Sequence, residues 1–390
     1  MSTVAADVPL YGLTDEQLAL RDVIRQIVRE RVMRRAAQID ASGEFPEDVR
    51  RLFADHDLFG LPFEEAYGGT GTGTLMLCVA IEEVAKGCAS SSLLLAVQDL
   101  GSLPIRLAGS EELKQRVLPR LASGDWLAAF ALSEPEAGSD PRGMRTRARR
   151  DGDDWVIDGA KNWITNAGVA DVYVVFAVTD PDAPSARGIS AFLVEADRPG
   201  FSISRLEHKM GMRGSPTGHP LLDGVRVPAA NLVGEPGEGF KIAMRTLDHS
   251  RLGIAAQALG IAQGATDYAA SYARERIAFG KPIIELQGIQ FKLADMETHC
   301  AAARELLYRA AAKAERHERD LGKYSAMAKL FCSDVAMEVT VEAVQVLGGY
   351  GYVTEYPVER MMRDAKLTQI YEGTNEIQRV VIARALRSRG

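Results

Sequence analysis

The spacing of apolar residues changes period twice along this chain. From Thr14 to about Ser123 it follows the three- and four-residue steps of amphipathic helices, with Leu18, Val23, Ile24, Ile27, Val28 and Val32 recurring between charges. Thr14 and Asp15 precede that run as cap residues, and a second apolar helix is expected from Leu75 to Leu100. From about Asp125 to Pro236 the period shortens. Arg145–Arg150, the Asp151-Gly152 turn and Trp155–Ile157 read as a hairpin. Val172–Val178, Ile189–Val194 and the alternation of Phe201 and Ile203 with Ser202 and Ser204 read as further strands. After Gly239 helical spacing returns, best marked in Leu252–Ala273, Gly288–His317, Lys323–Leu347 and Ile377–Ser388, all in an alanine-rich context that favours helix. A doubly wound sheet needs strands and helices to alternate, so this order excludes a nicotinamide-type dinucleotide fold. The expected class is α+β: an N-terminal helical domain over 1–125, a middle β-sheet domain over 126–236 and a C-terminal helical domain over 237–390.

Charge and composition then exclude whole classes of function. The 390 residues carry 46 Lys and Arg against 53 Asp and Glu, a formal charge of −7. That balance opposes the phosphate neutralisation on which nucleic-acid binding depends. The longest unbroken apolar runs, Leu75–Ile81 and Val172–Val178, are seven residues long, whereas a membrane helix needs about 20. No basic segment followed by an apolar stretch opens the chain, so a cytoplasmic protein without a secretory signal is expected. Cys78, Cys88, Cys300 and Cys332 form no C-x-x-C pair and read as buried free thiols of a reducing compartment. The six histidines show no metal-ligand spacing, so no metal is expected. The glycine-rich Tyr67–Gly73 segment lacks a full phosphate-binding fingerprint and follows no strand; it reads as a connection between helices.

Three segments resist a pure packing explanation. Phe130–Asp140 crowds hydroxyls and carboxylates around a rigid Pro, although alone it reads as a turn. Trp163 and Thr165, two apart, share a face if extended; an aromatic wall and a hydroxyl suit a flat heterocycle and equally a strand in a core. In the C-terminal third, Gln345–Tyr352 ends a helix in glycines, where a backbone can approach a ligand closely. Ile370–Arg379 then runs into the last amphipathic helix, with Thr374 or Asn375 as N-cap and free amides that favour an anionic or electron-rich ligand edge. Glu372 falls on the loop before that helix, and its bland alternative is a solvated carboxylate.

Together these segments resemble the acyl-CoA dehydrogenase family of flavoproteins. The resemblance covers nearly the whole chain and rests on Phe130–Asp140, Trp163-Ile-Thr165, Met210-Gly-Met-Arg213, Arg276–Gly280, Gln345–Gly349 and Tyr371–Arg379, in the family's order. It implies a C-terminal four-helix bundle and FAD lying between the β domain and that bundle. Phe130, Leu132, Ser133 and Ser139 would meet the flavin, Trp163 and Thr165 its other side, and Thr374 and Glu376 the cofactor near Glu372. Phe130 stands where some relatives have Tyr and Ser133 where many have Thr, each keeping the ring or the hydroxyl. Arg276, Phe279, Gln287, Gln345, Gly348 and Gly349 would reach the adenine-dinucleotide part across a subunit boundary, which implies a homotetramer built as a dimer of dimers. Arg276 would pair with pyrophosphate through its planar fork. Glu372 would be the base that removes the α-proton of an acyl-CoA while a hydride passes from the β-carbon to the flavin N5, giving a trans-2-enoyl-CoA. The enolate oxygen would be held by the amide of the base and a flavin ribityl hydroxyl. Ser250 stands where one branch of the family carries its base as Glu, which favours Glu372. Ser139, Asp248, Arg251, Tyr371 and Gly373 would border the CoA and acyl site. The resemblance implies an electron-transfer flavoprotein as acceptor, and leans to short or short-branched acyl chains whose ends lie near Ser91–Ala96. An oxidase or a nitroalkane-oxidase-like reaction on the same fold is the alternative; the latter relatives carry Asp as base.

Overall fold

The computed structural model describes residues 12–184 and 186–387, so Ser388 of the last expected helix lies outside the described residues. The first helical layer comprises α1 (Asp15–Ile27), α2 (Ala36–Ser42), α3 (Glu47–Ala54), α4 (Gly73–Gly87), α5 (Ala89–Ala108) and α6 (Glu111–Ser123). Thr14 caps α1 as expected: its Oγ1 accepts from the Gln17 amide at 3.2 Å, and Gln17 Oε1 accepts from the Thr14 amide at 3.0 Å. The single helix expected over Leu75–Leu100 is two. Gly87 ends α4 and Cys88 is extended at φ −155°, ψ 106°, after which α5 begins. Both helices are buried on nearly every side, so apolar spacing carries no sign of the break. Tyr67–Gly73 is the connection into α4. A Cβ at Gly69 would fall 2.1 Å from the Phe63 carbonyl oxygen, so close backbone packing explains that glycine.

The middle layer holds β1 (Ala128–Ala131), β2 (Arg147–Asp151), β3 (Asp154–Ala160), β4 (Ile164–Thr165), β5 (Val172–Val178), β6 (Ile189–Glu195), β7 (Phe201–Leu206), β8 (Thr217–Pro228) and β9 (Leu232–Val233). They form one sheet in the order β4-β8-β3-β2-β5-β6-β9, with β1 parallel on β5 and β7 antiparallel on β8. The expected hairpin is β2–β3, turning through Gly152 at φ +63°. β5 and β6 are buried at all but their last residue, which is why they read as continuous apolar runs.

The C-terminal part is built on α7 (Gly239–Glu275), the small hairpin β10 (Ile277–Ala278) and β11 (Lys281–Pro282), then α8 (Gln287–Glu315), α9 (Leu321–Leu347), α10 (Pro357–Thr368) and α11 (Asn375–Arg387). The helix α7, 37 residues long, packs on α4, α5, α8, α9 and α10 and so carries contacts between both helical parts. The four helical segments marked in the sequence all form; α10 is additional. Its buried face is Val358, Met361, Asp364, Ala365 and Thr368, and the two polar residues in that set mask the apolar stripe. No helix of the described residues is long and apolar enough to cross a membrane, and all four cysteines are buried and free.

Candidate active site

Glu372 sits where the chain turns from α10 into α11. Glu372 and Gly373 are both left-handed, at φ +50° and +91°, and Thr374 caps the helix by accepting from the Ile377 amide at 3.4 Å. Glycine is favoured after Glu372 by its left-handed backbone, and a Cβ there would also press on Gln378 Nε2 at 2.7 Å. That amide nitrogen donates to the carbonyls of Gly373 and Glu372 at 2.7 and 3.3 Å, fixing both peptide planes.

Glu372, half-buried, bonds to α7 and is faced by charges on α7, α9 and, more weakly, α5. Ser250 on α7 donates its hydroxyl to Glu372 Oε2 at 2.6 Å. Burial pushes the Glu372 pKa up to about 7, against the opposing pull of the Ser250 hydroxyl, Lys329 and Arg251. Such a group exchanges a proton near neutrality, as a general base needs. Arg251, 4% exposed, donates to Asp248 Oδ1 at 2.7 Å, while its Nε is buried without a hydrogen-bond partner in the protein. Burial lowers the Arg251 pKa and raises that of Asp248. Tyr371 donates a short hydrogen bond to Gln257 Oε1. Gln257 is fully buried and donates on to the Ala89 carbonyl at 3.0 Å and Ser92 Oγ at 2.9 Å, so a polar bridge joins the residue beside Glu372 to α5.

The residues expected around a flavin form two groups. At the end of β1, Phe130 packs edge-on against Phe176 at 5.0 Å, and Leu132 and Ser133 follow in a segment pinned by Lys161. This ammonium, 0% exposed, donates to the Leu132 and Phe176 carbonyls at 3.3 and 2.6 Å and to Glu134 Oε1 at 2.8 Å. Ser139 is exposed on the loop beyond. Thr165 pairs with Thr217 in β4. Trp163 does not lie on an extended strand with it, because its backbone is left-handed at φ +61°. The turn swings its indole outward, 59% exposed, against the His219 ring at 5.9 Å.

The second group faces outward from the C-terminal part. Arg276 caps α7 with its guanidinium 5.4 Å over Tyr350. Phe279 is 92% exposed at the tip of the β10–β11 hairpin, and Gln287 opens α8. Gln345, Gly348 and Gly349 end α9, and the space where a Cβ would stand on either glycine is empty. A cleft of about 330 Å³ beside α11 is lined by Thr374 and Glu376 with Asp334, Lys366, Asn375 and Arg379. A broader groove of about 1710 Å³ lies between α1, α4, α7 and α8 around Arg25, Glu82, Lys86 and Arg304, and none of the candidate residues lines it. An outward indole plane, hydroxyls at Ser133 and Thr165, the Arg276 guanidinium and two open glycines are groups whose chemistry fits a flavin dinucleotide.

Sequence reasoning singled out Glu372 and, around it, Asp248, Ser250, Arg251, Tyr371 and Gly373, but not the residues that brace the site. Lys161, Gln257, Lys329 and Gln378 are brought there only by the fold. For Gln257, Lys329 and Gln378 the signal is a polar side chain buried within a helix; Lys161, in the connection after β3, has no such periodic signal.

A carboxylate raised by burial to about 7, bonded to Ser250 of α7 and faced by Lys329 of α9, is the kind of group an acid–base enzyme uses. Family models described as the N-terminal, middle and C-terminal domains of acyl-CoA dehydrogenase match residues 14–125, 129–225 and 237–387. A probable acyl-CoA dehydrogenase of Mycobacterium tuberculosis is 51% identical over 377 residues, 97% of each chain. The structure of butyryl-CoA dehydrogenase from Megasphaera elsdenii superposes with a TM-score of 0.94 at 44% identity, covering 97% of this chain and 99% of that one. A glutaryl-CoA dehydrogenase of Mycobacterium smegmatis, solved in complex with FADH2, superposes at 0.89 with 33% identity over 97% and 96%. The chain belongs to the acyl-CoA dehydrogenase family, oxidoreductases that act on CH–CH groups.

Proposed function

We propose that this protein is an FAD-dependent acyl-CoA dehydrogenase that converts an acyl-CoA thioester to the trans-2-enoyl-CoA, with Glu372 removing the α-proton. The observation that carries this reading is the Glu372 carboxylate, held by Ser250 at 2.6 Å and raised by burial to about 7. FAD, when bound, supplies the acceptor for the β-hydride. Phe130, Leu132, Ser133 and Ser139 would hold the flavin together with Trp163 and Thr165, and Thr374 and Glu376 would contact it from the start of α11. The Glu372 amide would donate to the thioester oxygen, and Asp248, Arg251, Tyr371 and Gly373 would border the CoA and acyl groups.

The Gln257 bridge from Tyr371 to α5 crosses the region assigned to the acyl tail, which favours short or short-branched chains. The outward Phe279 and Ile277, with Arg276, Gln287, Gln345, Gly348 and Gly349, fit a homotetramer in which one protomer completes its partner's cofactor site. Domain boundaries at 125/126 and 236/237 and a cytoplasmic location go with this reading. Anaerobic titration with acyl-CoAs graded in length and branching tests it. Bleaching of the flavin absorbance by a short chain, and slow reoxidation in air that electron-transfer flavoprotein accelerates, are expected. Rapid reoxidation by oxygen would instead assign an oxidase, and a nitroalkane substrate a nitroalkane-oxidase-like reaction.

A further inference from the structure

The turn that carries Glu372 is held from below by a buried cation. Lys329 on α9 is 0% exposed, and an ammonium taken out of water is unfavourable unless hydrogen bonds compensate it. Its Nζ donates to the Gly373 carbonyl at 2.8 Å and to Asn375 Oδ1 at 2.9 Å, both neutral acceptors. Asn375 is fixed in turn by Ser333 Oγ at 2.9 Å and Asp334 Oδ1 at 2.7 Å. Lys329 and Ser333, one helical turn apart on α9, therefore grip the start of α11. The grip falls where the backbone is least comfortable, since Glu372 is a non-glycine residue at φ +50° and such conformations persist only when the surroundings enforce them. A packing role alone would be met more cheaply by an apolar side chain at this depth.

Resting on the reading of Glu372 as the base, we propose that Lys329 is its positioning residue, locking the left-handed Glu372–Gly373 turn and placing its amine beside the carboxylate. Glu372, Asp334 and Glu376 attract the ammonium and Arg251 repels it; Glu372 itself is faced by Lys329, Arg251 and, from α5, Asp99. Burial pulls the Lys329 pKa down to about 7. The two groups thus titrate in the same range and as a pair. Because Lys329 holds the Glu372 pKa down, removing it raises that pKa, and a larger share of the base is protonated and idle at neutral pH.

The test is rapid anaerobic bleaching of the bound flavin by a reactive acyl-CoA, followed from about pH 6 to about pH 9. Lys329→Met should keep its flavin and its apparent substrate affinity. Its limiting rate at neutral pH should fall at least about tenfold, and its pH midpoint should rise by about one unit. Lys329→Arg keeps the charge but not the two-acceptor geometry, so it should retain the midpoint at a rate between Met and wild type. Should the Met variant fail to fold, the Arg variant decides, and a wild-type rate in it overturns the proposal. A readout independent of turnover is the protonated-carboxyl infrared band that disappears in Glu372→Gln, whose midpoint should shift upward in Lys329→Met. An unshifted midpoint with an inert Glu372→Gln sinks the positioning role alone. Normal bleaching by Glu372→Gln sinks the base assignment itself.

Discussion

Glu372 and Ser250 behave as one acid–base unit. The carboxyl holds its proton up to about 7 because burial disfavours the charge, and the Ser250 hydroxyl pulls the other way by donating to the ionised form. A base works only when ionised, so the rate of flavin bleaching should rise with pH through about 7 and level off above it. Glu372→Gln should retain FAD and CoA binding while losing roughly 10²–10⁴ of that rate, the usual contribution of a positioned base. Ser250→Ala removes the donor, raises the carboxyl pKa further, and should lower activity at neutral pH while recovering it at alkaline pH. A midpoint unchanged in Ser250→Ala would show that this hydroxyl does not tune the base. Glu372 was legible in the sequence from its loop and its motif. Ser250 was visible only as the residue standing where another branch has Glu, because a partner 122 residues away leaves no periodic trace.

At the scale of elements, the β1 end, the β3–β4 connection and β5 are tied together by the buried Lys161–Glu134 pair. Glu134 also accepts from the Thr146 amide at 3.1 Å and, through a short bond, from the Arg145 amide. Burial draws the Lys161 pKa down to about 8, with Glu134 opposing. Removing one partner strands the other charge, so Lys161→Met should destabilise the protein by about 3–5 kcal/mol and weaken FAD retention through the Leu132–Ser133 segment. Lys161→Met combined with Glu134→Leu should recover most of that loss in thermal unfolding. A double variant no more stable than the single one would contradict the stranded-charge account. The β strands themselves were legible, since β5 and β6 are continuous apolar runs and β2–β3 turns at Asp151-Gly152-Asp153. The break at Cys88, the left-handed Trp163 and the helix α10 were not. Each depends on a local backbone state or a tertiary burial that residue spacing does not encode.

At the scale of the whole molecule, the helix–sheet–helix order followed from the change of period, but the joint that holds the three parts together did not. Arg363 on α10 donates to Asp40 Oδ2 on α2 at 2.6 Å and to the Met210 carbonyl at 3.0 Å. Its neighbour Asp364, 3% exposed, accepts a short bond from the Met212 amide. The partners are 323 and 152 residues apart, so sequence alone could mark Met210–Arg213 as a motif but not as a hinge pin. Burial pushes the Asp364 pKa up to about 7, with Asp40 adding to the rise and Arg360 and Arg363 opposing it; Lys209 also faces this carboxyl. An unfolded Asp titrates near about 4, so between that value and about 7 the folded chain holds one more proton than the unfolded one. Stability contributed at this joint is therefore full under acid conditions and declines as pH rises through about 7, by on the order of 1.4 kcal/mol per pH unit. Asp364→Asn, which cannot ionise yet still accepts from Met212, should flatten that slope in the pH dependence of the melting temperature. An unchanged slope in Asp364→Asn would mean that Asp364 is already ionised in the fold and that Arg363, rather than a retained proton, compensates its burial.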